Sequence, residues 1–171
     1  MVRHALTLLA ALSLPAAAQA APPKPAAKAA PKAVAKPLPK TVDAKEVEAA
    51  AHDAYVAAIN SNDIAAFSAA LTDDVVYQYP GARELVGKKA VLAWATGYYQ
   101  LYSTHWEKTS IGFTVSGDWA FERYTYKSTD TEKATGKVTT DAGKGVNVFH
   151  HDKDGKWRVA IDGWSSDDGV K

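Results

Sequence analysis

Three features of the sequence predict an α+β domain whose helices come before its sheet. Apolar residues recur at helical spacing between Asp43 and Tyr102. Beyond Tyr102 the period changes to two, and turn signals then separate successive runs as hairpins would. Helices grouped on one side of an antiparallel meander make an α+β architecture rather than a βαβ one.

The first helix starts near Asp43, where Asp43 and Glu46 form a capping-box-like pair able to accept orphan backbone N–H groups. Val47, Ala51, Tyr55, Ala58 and Ile59 then share one face, and Asn60-Ser61-Asn62 ends the helix. A short second helix, from Asp63 to about Leu71, turns Ile64, Phe67 and Leu71 inward. Thr72-Asp73-Asp74 leads into a short strand, VVYQY, before the turn at Pro80-Gly81. A third helix is expected from about Lys88 to Tyr102, with Val91, Trp94, Ala95 and Tyr98 along its stripe. Ile111, Phe113 and Val115 alternate with polar residues and predict the next strand, which turns at Ser116-Gly117-Asp118. Trp119 to Ser128 is the following strand, and Thr129 to Gly136 a polar hairpin loop. A long strand then runs to about His150, and Asp152-Lys153-Asp154-Gly155 is a strong hairpin signal before a last strand from Lys156 to Ser165.

The N-terminal segment is different in kind. MVRHALTLLAALSLPAAAQA has a polar start, an apolar run and a small-residue Ala18-Gln19-Ala20 ending, which predicts a secretory signal peptide over residues 1–20 and an exported, periplasmic or extracellular, protein. Residues 21–42 follow as an Ala/Pro/Lys-rich linker. Lys24, Lys28, Lys32, Lys36 and Lys40 fall at a spacing of four, but the interleaved prolines forbid a continuous helix, so an extended tether is expected. From residue 41 onward the chain carries 14 of the 20 basic residues and all 19 acidic ones. The domain is therefore mildly acidic and its leash basic. Weak contact of the leash with anionic envelope components is one reading of that asymmetry, and a solubilising spacer another. Nucleic-acid binding is disfavoured, since the basic charge is in the leash. No stretch is long and apolar enough to predict a transmembrane segment. The roughly 130 residues from 43 to 171 suit one domain with one core.

The chain has no cysteine, which excludes disulfides, thiolate metal sites, a cysteine nucleophile and a lipid-anchored cysteine. His150-His151-Asp152 invites a metal reading, but neighbouring strand residues point to opposite faces and the motif runs into a hairpin. His52 and His105 lack ligand-like spacing, so no metal is expected. Without a Gly-rich phosphate loop, a nucleophile elbow or a zinc-protease motif, no cofactor is expected either.

The stretches AYVAAINSNDIAAFSAALTDDVVYQYPG, VGKKAVLAW, VSGDWAF and DGKWRVAIDGWSSD together resemble the NTF2-like superfamily, most closely its SnoaL-like and DUF4440 (domain of unknown function) branch, over roughly residues 46–167. The resemblance implies a curved antiparallel sheet wrapped round three helices into a cone, a small-molecule pocket, and often a homodimer through the sheet. The superfamily includes ketosteroid isomerase, which works with a carboxylate base and an oxyanion hole. Carried onto this chain, its oxyanion tyrosine falls on Tyr55, its second oxyanion donor on Asn147 and its pocket tryptophan on Trp164. Its base falls on Tyr79, and a phenol with an ordinary pKa of about 10 is a poor base near neutrality. Isomerase chemistry is therefore disfavoured.

Ligand-lining candidates are Tyr55, Tyr77, Tyr79, Trp94, Tyr98, Asn147 and Trp164. Tyr77 and Tyr79 share a strand face, while Trp94 and Tyr98 lie one helical turn apart, where core packing is the competing role. Asp162 is the candidate catalytic residue. Alternation puts Val159 and Ile161 on one face of the last strand and Ala160, Asp162 and Trp164 on the other. An inward Asp162 needs a partner. Arg123, Arg158 or a buried tyrosine could provide it, or the carboxylate could serve as an acid or base in an isomerase, cyclase or lyase. The leading expectation is a small, largely apolar or aromatic ligand in a cone-shaped pocket. A catalytic domain and a tethered, non-catalytic envelope dimer are the alternatives.

Overall fold

A computed structural model describes residues 43–167. The expected signal peptide and the linker up to residue 42 lie outside the described residues.

The first helix, α1, runs over residues 44–60 as α-helical Ala44–Glu48, a π-helical turn at Ala49–Asp53 and α-helical Ala54–Asn60. Asp43 caps its start by accepting from the Lys45 N–H at 2.9 Å. Residues spaced by four drift around an α-helix of 3.6 residues per turn. The wider π turn offsets that drift, and Val47, Ala51, Tyr55, Ala58 and Ile59 are all buried. Helix α2 (Ile64–Ala69) is capped by Asp63, which accepts from the Ala66 N–H at 2.7 Å. Strand β1 (Leu71–Gln78) follows, then a two-residue strand β2 (Leu85–Val86), helix α3 (Lys88–Leu101), and the long strands β3 (Tyr102–Ser116), β4 (Trp119–Glu132), β5 (Val138–His151) and β6 (Trp157–Ser166). They form one six-stranded sheet in the order β2-β1-β6-β5-β4-β3. Every pairing is antiparallel except β1 with β6, which is parallel, so the expected antiparallel sheet has one parallel seam.

Two bulges bend the sheet and displace alternations read from sequence. In β3, Ser110 pairs with Tyr124 and Gly112 with Arg123, leaving Ile111 as the extra residue. Ile111 is consequently exposed, while Phe113 and Val115 pack on the core. In β6, Val159 pairs with Phe149 and Ile161 with Val148, so Ala160 is extra. Val159 and Ala160 are then both buried and Ile161 turns outward, against the face sharing expected of Val159 and Ile161. Asp162 and Trp164 still face inward.

The chain also passes from α3 into β3 without a loop, and β4 extends four residues past Ser128. The sequence pattern marks β3 only from Ile111 and a loop from Thr129, because the inward residues of these two stretches are polar or mixed: Thr104, Trp106 and Lys108 in β3, and Ser128 and Asp130 in β4. The edge strand β3 is covered by the α1–α2 turn. Asn60 donates to the Trp106 carbonyl (2.9 Å) and accepts from its N–H (2.7 Å), and Asn62 does the same with Thr104 (2.9 and 2.7 Å). Two side-chain amides thus stand in for a neighbouring strand. The core fills the concave side of the sheet, where Val47, Tyr55, Phe67, Val75, Val91 and Phe149 meet.

Candidate functional site: an aromatic cavity over a buried aspartate

A cavity of about 290 Å³ opens between the helices and the inner face of the sheet. Five rings follow one another along its wall. On α3, Tyr98 stacks on Trp94 (centroids 5.4 Å apart, planes 19° apart), and Trp94 meets Tyr79, just beyond β1, at 5.6 Å. Tyr79 stacks on Trp164 of β6 at 6.1 Å, and Trp164 meets Trp106 of β3 edge-on at 5.9 Å. Tyr77 lies behind this row, 2% exposed, with its ring against both Trp94 and Trp164.

Asp162 reaches the same cavity, 4% exposed. Tyr55 donates to its Oδ2 at 2.6 Å and Tyr124 to its Oδ1 at 2.7 Å. Tyr77 and Tyr55 share a hydrogen bond. Since the Tyr55 proton goes to Asp162, the Tyr77 hydroxyl is the donor. Burial, and then the Asp162 charge, push the Tyr55, Tyr77 and Tyr124 phenols well above their ordinary range, which keeps them protonated donors. The Lys108 ammonium lies 3.7 Å from Asp162 Oδ2, its side chain without exposed surface. Among the described residues it has no hydrogen-bond partner, and it sits 3.6 Å from the Tyr124 ring centroid. Burial lowers its pKa against the opposing pull of Asp162 and Glu122.

Tyr124 reaches Asp162 across a bare stretch of β5. A Cβ on its cross-strand neighbour Gly145 would lie 2.4 Å from the Tyr124 ring. Gly143 clears Tyr126 in the same way, at 2.8 Å. The sequence GKG is therefore spaced to let two phenols cross the inner face.

Glu122, Asn147 and Asp162 stand in register on β4, β5 and β6. Asn147 was expected on the cavity wall. It is instead fully buried behind it, donating to Glu122 at 2.8 Å, because Tyr124 and Lys108 take the places around Asp162. The other Glu122 oxygen meets His52 Nδ1 at 2.5 Å. That hydrogen bond raises the His52 pKa against burial; burial in turn pushes the Glu122 carboxyl up, but His52 and Asn147 hold it below its ordinary value.

At the other end of the cavity the wall carries Asp130 and Asp141. Thr104 donates to Asp130 at 2.5 Å and itself accepts from the Trp106 indole at 3.1 Å. Tyr126, Ser166 and the Ala142 N–H donate to Asp141 at 2.7, 2.5 and 2.8 Å.

The remaining expected ligand-lining residues, Tyr55, Tyr77, Tyr79, Trp94, Tyr98 and Trp164, all reach the cavity, as does Asp162. Neither arginine meets Asp162. Arg123 is exposed, packed over Gly112, and Arg158 is held by Asp152 and Asp154 at 2.6 and 2.7 Å. His150 is bonded to the same Asp152 at 2.7 Å. The sequence reading missed Lys108, Tyr124, Glu122, Asp130 and Asp141. An unbroken period-two reading of β4 would have placed Tyr124, Glu122 and Asp130 on the inner face; the same reading of β3 from Phe113 points Lys108 outward, because the Ile111 bulge intervenes.

The description "SnoaL-like domain" matches residues 52–160. Among solved structures, a ketosteroid isomerase-like protein from Erwinia carotovora atroseptica is 32% identical (TM-score 0.64), over 71% of this chain and 95% of that one. A putative dehydratase from the NTF2-like family of Streptomyces avermitilis is 20% identical (TM-score 0.63), covering 71% and 95%. An NTF2-like superfamily protein from Salmonella enterica is 14% identical (TM-score 0.60), covering 74% and 92%. These last two bear on the fold alone. No curated protein matches the chain. By the match over residues 52–160, and by its curved sheet closed around three helices, the chain belongs to the SnoaL-like family of the NTF2-like superfamily.

Proposed function

We propose that this is an exported small-molecule-binding domain, which holds a largely apolar or aromatic ligand in the cavity without transforming it. The observation that carries the reading is where the hydroxyl protons point. Tyr55 and Tyr124 donate to Asp162 and Tyr77 donates to Tyr55, so none of the three phenols offers a proton to a ligand carbonyl. Electrophilic activation would first have to break the network around Asp162. The ring-lined wall is intact and supplies contact area, as small-molecule pockets do. Tyr79, at the relative's base position, is engaged as a wall ring between Trp94 and Trp164.

Three of the chain's five tryptophans line the cavity, so intrinsic fluorescence reports on it. Native mass spectrometry of gently purified protein, with a thermal-shift screen of apolar and aromatic compounds, tests the reading. Co-purified mass or a stabilising hit that Trp164→Ala abolishes is the expected result. An empty protein with no hit across the screen overturns it.

A second reading, an isomerase- or lyase-like enzyme using Asp162 with Tyr55, is favoured by the 32% identical relative described as ketosteroid isomerase-like. In that case Asp162→Asn abolishes turnover while ligand binding persists. Export and self-association belong to the same proposal. The mature chain is expected to begin near Ala21, which N-terminal sequencing checks. Phe121, Val146 and Ile161 stand exposed on the outer sheet face as a surface for a second copy, which sedimentation checks. The leash is proposed to touch anionic envelope components, and a pull-down with and without residues 21–40 tests that contact.

A further inference from the structure

We propose that the ligand is a cation: a protonated or quaternary amine carrying an apolar or aromatic body. This rests on the small-molecule reading above and narrows it by the charge of the wall. Three aspartates line the cavity, and among the described residues no lysine, arginine or histidine does. Asp162 has Lys108 at 3.7 Å to offset it. Asp130 and Asp141 have no cationic partner within 4.0 Å among the described residues and are held by neutral donors alone. Thr104 links Asp130 directly to the Trp106 indole, so the uncompensated charge adjoins the row of rings.

The rings are arranged to suit the same charge. Trp106 and Trp164 meet at 87° and make a corner, while Tyr79, Trp94 and Tyr98 continue the wall. Ring faces are electron-rich, and an ammonium within about 6 Å of them is attracted. A neutral aromatic guest would use the rings but strip water from two carboxylates and give nothing back. An anionic guest would be repelled by both. A cation satisfies rings and carboxylates together, and its lowered hydration when methylated suits a wall built largely of ring faces.

The test uses the full chain and three probes of similar size: benzyltrimethylammonium, its neutral carbon analogue neopentylbenzene, and benzenesulfonate. Binding is read by tryptophan quenching and calorimetry. The cation should bind about tenfold or more tightly than the neutral analogue. Asp130→Asn and Asp141→Asn should each weaken the cation several-fold and leave the neutral probe unchanged. Asparagine keeps an acceptor oxygen for Thr104 or Tyr126, and a melting curve checks each fold. Raising salt on the unmutated protein should weaken the cation alone, a readout that needs no variant. If the neutral probe or the sulfonate binds as well as the cation, the charge inference is overturned and the pocket reading stands. If no probe binds and the broader screen is also empty, both are overturned.

Discussion

Replacing Asp162 by asparagine isolates the energetics of the buried cluster. The substitution keeps size and removes one charge. One phenol hydrogen bond is kept by the amide oxygen, the other phenol meets an NH2 that can only donate, and the Lys108 ammonium, without a hydrogen-bond partner among the described residues, loses its nearest counter-charge. At 3.7 Å the attraction lost is about 4–5 kcal/mol for an effective dielectric of about 20. Breaking one side of a buried pair costs about 3–5 kcal/mol, so Asp162→Asn should lose about 4 kcal/mol. With a urea slope of about 2 kcal/mol/M that is a midpoint shift of about 2 M. Because burial depresses the Lys108 pKa, the unfolded chain holds that proton more tightly than the folded one. Stability in the variant should therefore recover as pH rises through the folded Lys108 value toward its ordinary 10.5. The double variant Lys108→Met, Asp162→Asn should be more stable at neutral pH than Asp162→Asn alone. Urea melts at pH 7 and 9.5 on the four proteins of the cycle measure all of this. Losses that add within about 0.5 kcal/mol, with no recovery at high pH, would show that the two charges are not coupled.

Two further expectations concern the frame of the site. The His52 imidazole should titrate above its ordinary 6.5 by NMR, and Glu122→Gln should return it toward that value. The pair's stabilisation should be fully present below pH 6.5 on the histidine side and fade as pH rises through the raised folded pKa. On the acid side it fades as pH falls through the lowered Glu122 value, below 4.5. A His52 resonance titrating below 6.5 would contradict the assignment. Asn60→Ala should cost about 2 kcal/mol, because it removes both bonds to the Trp106 backbone, and Asn60→Asp should not restore that stability, since the acceptor it keeps is offset by a second oxygen set against the Trp106 carbonyl. A change within about 0.5 kcal/mol for alanine would mean that the turn does not secure β3.

The helices, the hairpin turns and most of the ring-lined wall were legible because each depends on local pattern. Helical spacing marks Val47 to Ile59 and Val91 to Tyr98, and the glycines at 117 and 155 adopt the positive φ that the expected turns need. The polar half of the site was not legible in the same way. Lys108 reads as a solvated strand residue, and only the closure of β3 over α1 buries it. Asp130 was hidden by its threonine neighbours, which suggested a loop. Asn147 shows the limit of transfer from a relative: its strand position is inward as expected, but a tyrosine crossing over Gly145 and a lysine from β3 fill the space it would have faced.

Ala160 has a consequence for anyone who edits this protein. An odd residue in a pleated strand works like a shifted reading frame, because inward positions pass from odd numbers (Trp157, Val159) to even ones (Asp162, Trp164) across it. Deleting Ala160 would leave Val159 against Phe149 and Ile161 against Val148 in an unbroken ladder, so Asp162 and Trp164 would keep their inward aim, and what the strand would lose is its local kink and one buried methyl. Aligning this strand with a homologue's by parity alone would therefore misassign its faces, a shift that percentage identity does not reveal.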